Sequence, residues 1–209
     1  MAEGGIRPRQ TPEERPGLWE DILSSGRDII FRPQVFFQGM PLTEGYLRPV
    51  LFASTVFLIV LAYNVLLVAT GLPFPNGQGV KDNALLWGAL LKAPVLYALW
   101  ILGLFLGSAI LHLSFRLLKG KATFQGTFRL FAYSTVANLL SLVPLFGQYL
   151  STVYALVLIM FGGRYVHGLS SPRSIAAPLL PALLAWAVLF TLIYTGVLPL
   201  EKLKEGLRH

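Results

Sequence analysis

The chain reads as long apolar blocks separated by short basic or glycine-containing loops. From Pro49 to Thr70, "PVLFASTVFLIVLAYNVLLVAT" carries no charge, and a second block, "APVLYALWILGLFLGSAILHLSF", fills the interval between Lys92 and Arg116. A hydrocarbon core about 30 Å thick needs roughly 20 helical residues, so each block has the length of one membrane crossing. The uncharged stretch from Leu130 to Gly163 is 34 residues long. As one helix it would run about 50 Å at ~1.5 Å per residue, too far for a single crossing. Pro144-Leu145-Phe146-Gly147 near its middle supplies turn chemistry. The pattern therefore predicts a tight hairpin, with a third span over about Thr127 to Val143 and a fourth over about Gln148 to Val166. A fifth span covers Ile175 to Val197, with Pro178 and Pro181 in its first turns.

Ahead of the first span, "LWEDILSSGRDIIF" places Leu18, Trp19, Ile22, Leu23, Ile29 and Ile30 at helical spacing. Glu20 and Asp21 fall in its first turn, where the helix dipole favours them. At 14 residues it is too short to cross a bilayer. It is expected to lie in the cytoplasmic interface or on the cytoplasmic loops, ending at Arg32-Pro33. The predicted class is all-α: a polytopic membrane protein with five transmembrane helices and an interfacial amphipathic N-terminal helix. The organisation is a flexible tail over 1–17, the amphipathic segment over 18–48, the five-span domain over 49–200 and a C-terminal tail over 201–209.

Composition agrees with this. The chain of 209 residues is 55% hydrophobic, with mean hydropathy +0.63, too apolar for an ordinary soluble domain. Between Asp82 and Glu201 there is no carboxylate side chain, and the cations there (Lys92, Arg116, Lys119, Lys121, Arg129, Arg164 and Arg173) punctuate the apolar runs. The net charge of +7 does not suggest nucleic acid, because the basic residues cap apolar blocks and form no stripe with interleaved aromatics. Cysteine is absent, so disulfides, thiolate nucleophiles and cysteine metal sites are excluded. The first 17 residues have no apolar h-region and read as a flexible tail, not a cleaved signal.

Lysine and arginine near the span ends set the topology. Nine (Arg27, Arg32, Arg48, Arg116, Lys119, Lys121, Arg129, Arg164 and Arg173) fall on one side, against five (Lys81, Lys92, Lys202, Lys204 and Arg208) on the other. The richer side is expected in the cytoplasm. This puts the N-terminus inside and the C-terminus outside a cell inner (plasma) membrane.

Polar residues inside the blocks are the candidate chemistry. Tyr133, Ser134 and Thr135 interrupt the third span, and Asn138, four residues after Ser134, shares its face on an α-helix. Asn64 in the first span is a candidate partner for Asn138, and His112 is the one histidine in a span. Two readings stand side by side: hydroxyl and amide groups bonding within the bundle, or a polar cavity lined by Asn64, His112, Tyr133, Ser134 and Asn138. Arg116, Lys119, Lys121 and Arg129 form an expected basic collar, serving either topology and headgroup contact or a specific anionic-lipid or acidic-partner site. Gly103 and Gly107 make a small-xxx-small pattern that serves packing within the monomer or self-association. No metal site or cofactor is expected, since no carboxylate stands near the histidines.

The blocks also carry a resemblance. "FRPQVFFQGMP" precedes the first span, "HLSFRLLKGKATFQGTFRLFAYS" joins the second to the third, and "RYVHGLSSPRSIAA" joins the fourth to the fifth. In this order the pieces resemble the Yip1 family of integral membrane proteins over about Arg32 to Val197. The chain departs from the family's pattern at Lys119-Gly120-Lys121-Ala122-Thr123, where many relatives have more glycine, and after Tyr133-Ser134, where Val136 and Ala137 replace an often-seen proline. Eukaryotic relatives act in endoplasmic reticulum and Golgi trafficking and bind small GTPases and one another. The short loops here are similar to the bacterial branch, which has no settled activity.

An enzyme fits poorly, because acid–base work uses positioned carboxylates or histidines and the spans hold only His112. A Ser108 or Ser134 pairing with His112 has no motif behind it. A proton-coupled transporter fits poorly for the same reason. The expected function is non-enzymatic membrane organisation or adaptor work through lipids, other membrane proteins or a second copy. A passive pathway for a small or amphipathic molecule such as a lipid is the alternative.

Overall fold

In the computed structural model, residues 17–72 and 83–194 are described. The N-terminal tail, Lys81 and the C-terminal tail with Lys202, Lys204 and Arg208 lie outside them. Among the described residues all regular structure is helical: α1 (Leu18–Phe31), α2 (Pro33–Gly39), α3 (Leu47–Thr70), α4 (Asn83–Leu117), α5 (Phe124–Ser134), a 3₁₀ segment (Thr135–Leu142), α6 (Gly147–Tyr165) and α7 (Ser171–Tyr194). Two helical stretches are long and apolar enough to cross a membrane, Leu47–Thr70 and Leu91–Leu117. They coincide with the first two expected spans, and α6 and α7 fill the fourth and fifth stretches.

The third stretch differs from its expectation. It is an α-helix for 11 residues and then a 3₁₀ helix for eight. The junction is rich in side-chain bonds that compete for backbone carbonyls. Thr135 Oγ1 donates to Ala132 O at 2.6 Å, and Ser141 Oγ donates to Asn138 O at 2.6 Å, both three residues back. Such bonds favour the tighter three-residue turn over the α turn. The altered period breaks the face that Ser134 and Asn138 would share on an α-helix. Ser134 is buried and Asn138 exposed.

The expected reversal at Pro144 is present. Leu145 takes φ +70°, Gly147 N–H reaches Val143 O, and α6 packs back along the 3₁₀ segment. α5 is the most enclosed element, meeting α1, α3, α4 and α6. Phe128, Leu130 and Ala132 have no exposed surface. Small residues permit this closeness. A Cβ at Gly162 would overlap the Leu130 side chain, one at Gly163 would lie 2.9 Å from Phe115, and one at Gly107 would lie 2.9 Å from Phe131. Gly103 has nothing within 4 Å of such a Cβ, so within the monomer only Gly107 of the pair packs closely against a neighbour.

The N-terminal helices dock on this bundle. Ile29 and Phe37 are buried in the same cluster as Leu130 and Tyr133. Tyr154 OH donates to the carbonyls of Ile29 and Ile30, at 3.0 and 2.8 Å, near the end of α1. Arg48 of α3 pairs with Asp21 of α1 at 2.8 Å. The apolar stripe read from α1 is therefore divided. Ile22, Ile29 and Ile30 face the bundle, whereas Trp19 and Leu23 are exposed.

Gly162→Ala is expected to lower stability by about 1–3 kcal/mol through overpacking against Leu130. Gly103→Ala is expected to be neutral or to gain up to about 1 kcal/mol from helix propensity. Thermal melting of both variants in detergent compares the two outcomes.

Candidate functional site: a buried polar junction at the start of α5

The site begins with the way α4 stops. Gly120 N–H bonds Phe115 O at 2.7 Å, Lys119 N–H bonds Arg116 O at 3.0 Å, and Lys119 takes φ +69°. This is a Schellman closure with lysine in the left-handed position, where glycine is the usual residue. It aims the next residues at the end of α6. Lys121 N–H bonds His167 O at 3.1 Å. Gly120 is required by this approach, since a Cβ there would lie 2.8 Å from His167 Nδ1 and 2.9 Å from Phe115 O. Thr123 then caps α5, its side chain accepting from Gly126 N–H at 3.4 Å.

One turn into α5, the Thr127 side chain meets two imidazoles. His112 Nδ1 is 2.7 Å from Thr127 Oγ1, and His167 Nε2 is 3.0 Å from the same oxygen. Thr127 and His167 are both 0% exposed. His167 stacks on Phe115, with ring centroids 4.1 Å apart, and His112 stands edge-on to Phe124. The same hydroxyl also lies 3.4 Å from Thr123 O, one turn back, to which it donates; having one hydrogen, it donates to at most one of the two rings. The two rings thereby meet at one oxygen. His167 Nδ1 has no partner among the described residues. Burial, then the nearby His112 ring and Arg116 charge, push the His167 pKa from 6.5 down to about 4, so the ring is neutral near pH 7.

Two residues further along α5, Arg129 enters the protein interior. It was expected in the exposed collar, but it is 1% exposed and is the largest fully buried side chain among the described residues. Its Nη1 donates to Gly45 O at 3.2 Å, its Nη2 lies 4.0 Å from Glu44, and its Nε has no partner among the described residues. The reason is tertiary: α5 is enclosed on several sides, and the 40–46 connection folds over it to supply a carbonyl and a carboxylate. Arg116, Lys119 and Lys121 are exposed at the end of α4 and in the loop after it.

The five residues expected to line one cavity are satisfied separately. Asn64 donates to Val60 O in its own helix, Ser134 donates to Leu130 O, and Asn138 Oδ1 accepts from Ser151 at 3.4 Å. Tyr133 is buried edge-on to Phe36 and Phe52, at 5.1 and 5.0 Å. Among the described residues no hydrogen bond joins any two of the five, and Asn64 does not reach Asn138. His112 alone belongs to a polar cluster, and its companions Thr127 and His167 were not singled out from the sequence. The available signal was topological. The end of the second span, the start of the third and the end of the fourth all fall on one side of the predicted membrane, at similar depth.

Among the described residues the structure is all-helical, with two helices long and apolar enough to cross a membrane and cations gathered at helix ends. A family model for the Yip1 domain matches residues 27–193, and the chain belongs to that family. Among curated proteins and among solved structures, nothing matches the chain.

Thr127→Val removes the shared oxygen while keeping the side-chain shape. It is expected to cost about 1–3 kcal/mol for each ring nitrogen left unpaired, with Thr127→Ser much milder, both read by melting in detergent. Below pH 6.5 the unfolded chain takes up a proton at His167 that the folded chain refuses, so this group's neutral-form stability is lost as pH falls from 6.5 toward about 4. The stability gap between wild type and His167→Asn is expected to narrow over that window.

Proposed function

We propose that this Yip1-domain protein is a non-enzymatic, five-span protein of the cell inner (plasma) membrane that organises membrane or acts as an adaptor through lipid and protein contacts. Its N-terminus is cytoplasmic and its C-terminus is outside. The observation that carries this reading is the division of charge. All three ion pairs among the described residues use carboxylates from the N-terminal segment: Asp21, Asp28 and Glu44. Arg116, Lys119 and Lys121 have no carboxylate partner among the described residues and point outward, available to anionic headgroups or an acidic partner. Among the described residues most polar side chains inside the bundle bond back to their own helices, and the five expected to line a cavity form no joined polar path.

Helix lengths support five crossings. α5 and the 3₁₀ segment together extend about 33 Å, at ~1.5 and ~2.0 Å per residue. α6 and α7 extend about 28 and 36 Å by the same rise. Each is close to the hydrocarbon thickness of about 30 Å.

The chain has no cysteine, so single-cysteine labelling has a clean background. In intact cells an impermeant thiol reagent is expected to label Leu145→Cys and His209→Cys from outside and to reach Lys119→Cys only after lysis. Reconstituted protein is expected to scramble no lipid and to pass no small solute. Outside labelling at Lys119→Cys would overturn the topology, and protein-dependent flux would replace the organising role with a pathway.

A further inference from the structure

α6 and α7 form a second feature that the reading above does not use. Val157, Met160, Phe161 and Arg164 recur at i, i+3, i+4 and i+7 along one side of α6. With Ser171 and Ile175 of α7 they line a groove of about 200 Å³. The short turn through Gly168, at φ +65°, brings the end of α6 beside the start of α7. Arg164 and Ser171 therefore share the polar end, and Val157, Phe161 and Ile175 make the apolar depth. Arg164 donates to Ser171 Oγ at 2.9 Å through Nη1, and its guanidinium lies 5.7 Å from the Tyr165 ring.

The charge at this end has no counterpart within the described protein. No ion pair engages Arg164 or the exposed Arg173, and the sequence has no carboxylate from 83 to 200. An apolar trough ending in an exposed, uncompensated guanidinium matches an amphipathic anion.

We infer that the α6–α7 groove is a binding site for one anionic phospholipid of the surrounding bilayer, with an acyl chain along Met160, Phe161 and Ile175 and the phosphate on Arg164. This rests on the proposed membrane placement and adds a site and a lipid class to it. Tails in the bilayer are as apolar as the groove wall, so acyl contact alone gives little selectivity. Selectivity comes from the headgroup. Guanidinium binds phosphate through paired N–H groups, and an anionic lipid, unlike a zwitterionic one, brings no cation of its own to compete.

The test uses the full chain, purified, delipidated and reconstituted with equal phosphatidylglycerol and phosphatidylcholine, with co-purifying lipid counted by native mass spectrometry. Wild type is expected to retain phosphatidylglycerol preferentially. Arg164→Gln is expected to lose that preference by about fivefold or more, with Arg164→Lys keeping part of it through charge without the paired geometry. Met160→Trp and Ile175→Trp fill the groove from opposite walls, and each is expected to reduce the retained lipid while melting reports that the bundle is intact. An unchanged preference in Arg164→Gln, or full retention in both tryptophan variants, overturns the site. If the preference instead disappears in Arg116→Gln/Lys119→Gln/Lys121→Gln and persists in Arg164→Gln, the groove is refuted while the organising role through the α4 loop survives.

Discussion

The structure depends on a shortage of negative charge. From 83 to 200 the chain has no aspartate or glutamate, so no carboxylate of that stretch can neutralise a cation or orient a histidine. Buried charge is costly without a partner. Arg129, the one arginine drawn into the interior among the described residues, is answered from outside its own segment: the 40–46 connection lies across α5 and offers Gly45 O and Glu44. Asp21 does the same for Arg48. The N-terminal region is thus a source of carboxylates for the bundle as well as an amphipathic surface. Asp21 and Glu44 add ion pairs to a docking that Ile29 of α1 and Phe37 of α2 make by apolar burial.

The same shortage shapes the interior chemistry. Polar groups in the bundle have hydroxyls, amides, imidazoles and carbonyls to bond. Most hydroxyls bond back to their own helices, and at the α5–3₁₀ junction this changes the helix itself. The His112–Thr127–His167 cluster instead ties three parts of the chain through one oxygen: the end of α4, the start of α5 and the turn after α6. One hydroxyl serves both rings and the Thr123 carbonyl as well, so the three segments share a single polar atom. With Gly120 pressed against His167, the loop from α4 to α5 is locked to the end of α6.

The cations not answered in this way are as informative as those that are. Arg116, Lys119, Lys121, Arg164 and Arg173 lie at or next to helix ends, where a membrane places its headgroups. Among the described residues no carboxylate answers these five cations, which is the feature the proposed headgroup contact rests on.

The sequence by itself determined the helical blocks, the reversal at Pro144, the amphipathic N-terminal helix and the family resemblance. Apolar length, turn residues and period are local properties and are written in consecutive residues. Tertiary structure decided which polar residues meet. Asn138 shares a face with Ser134 only if the α period continues, and the hydroxyls around Thr135 end it. Arg129 looks like a surface cation among aromatics until α5 is enclosed and the 40–46 connection closes over it. Thr127 and His167 are 40 residues apart, each ordinary alone, and only the packing of α4, α5 and α6 puts them on one hydrogen bond. Burial and partnership depend on what arrives from elsewhere in the chain, and no window of sequence contains that.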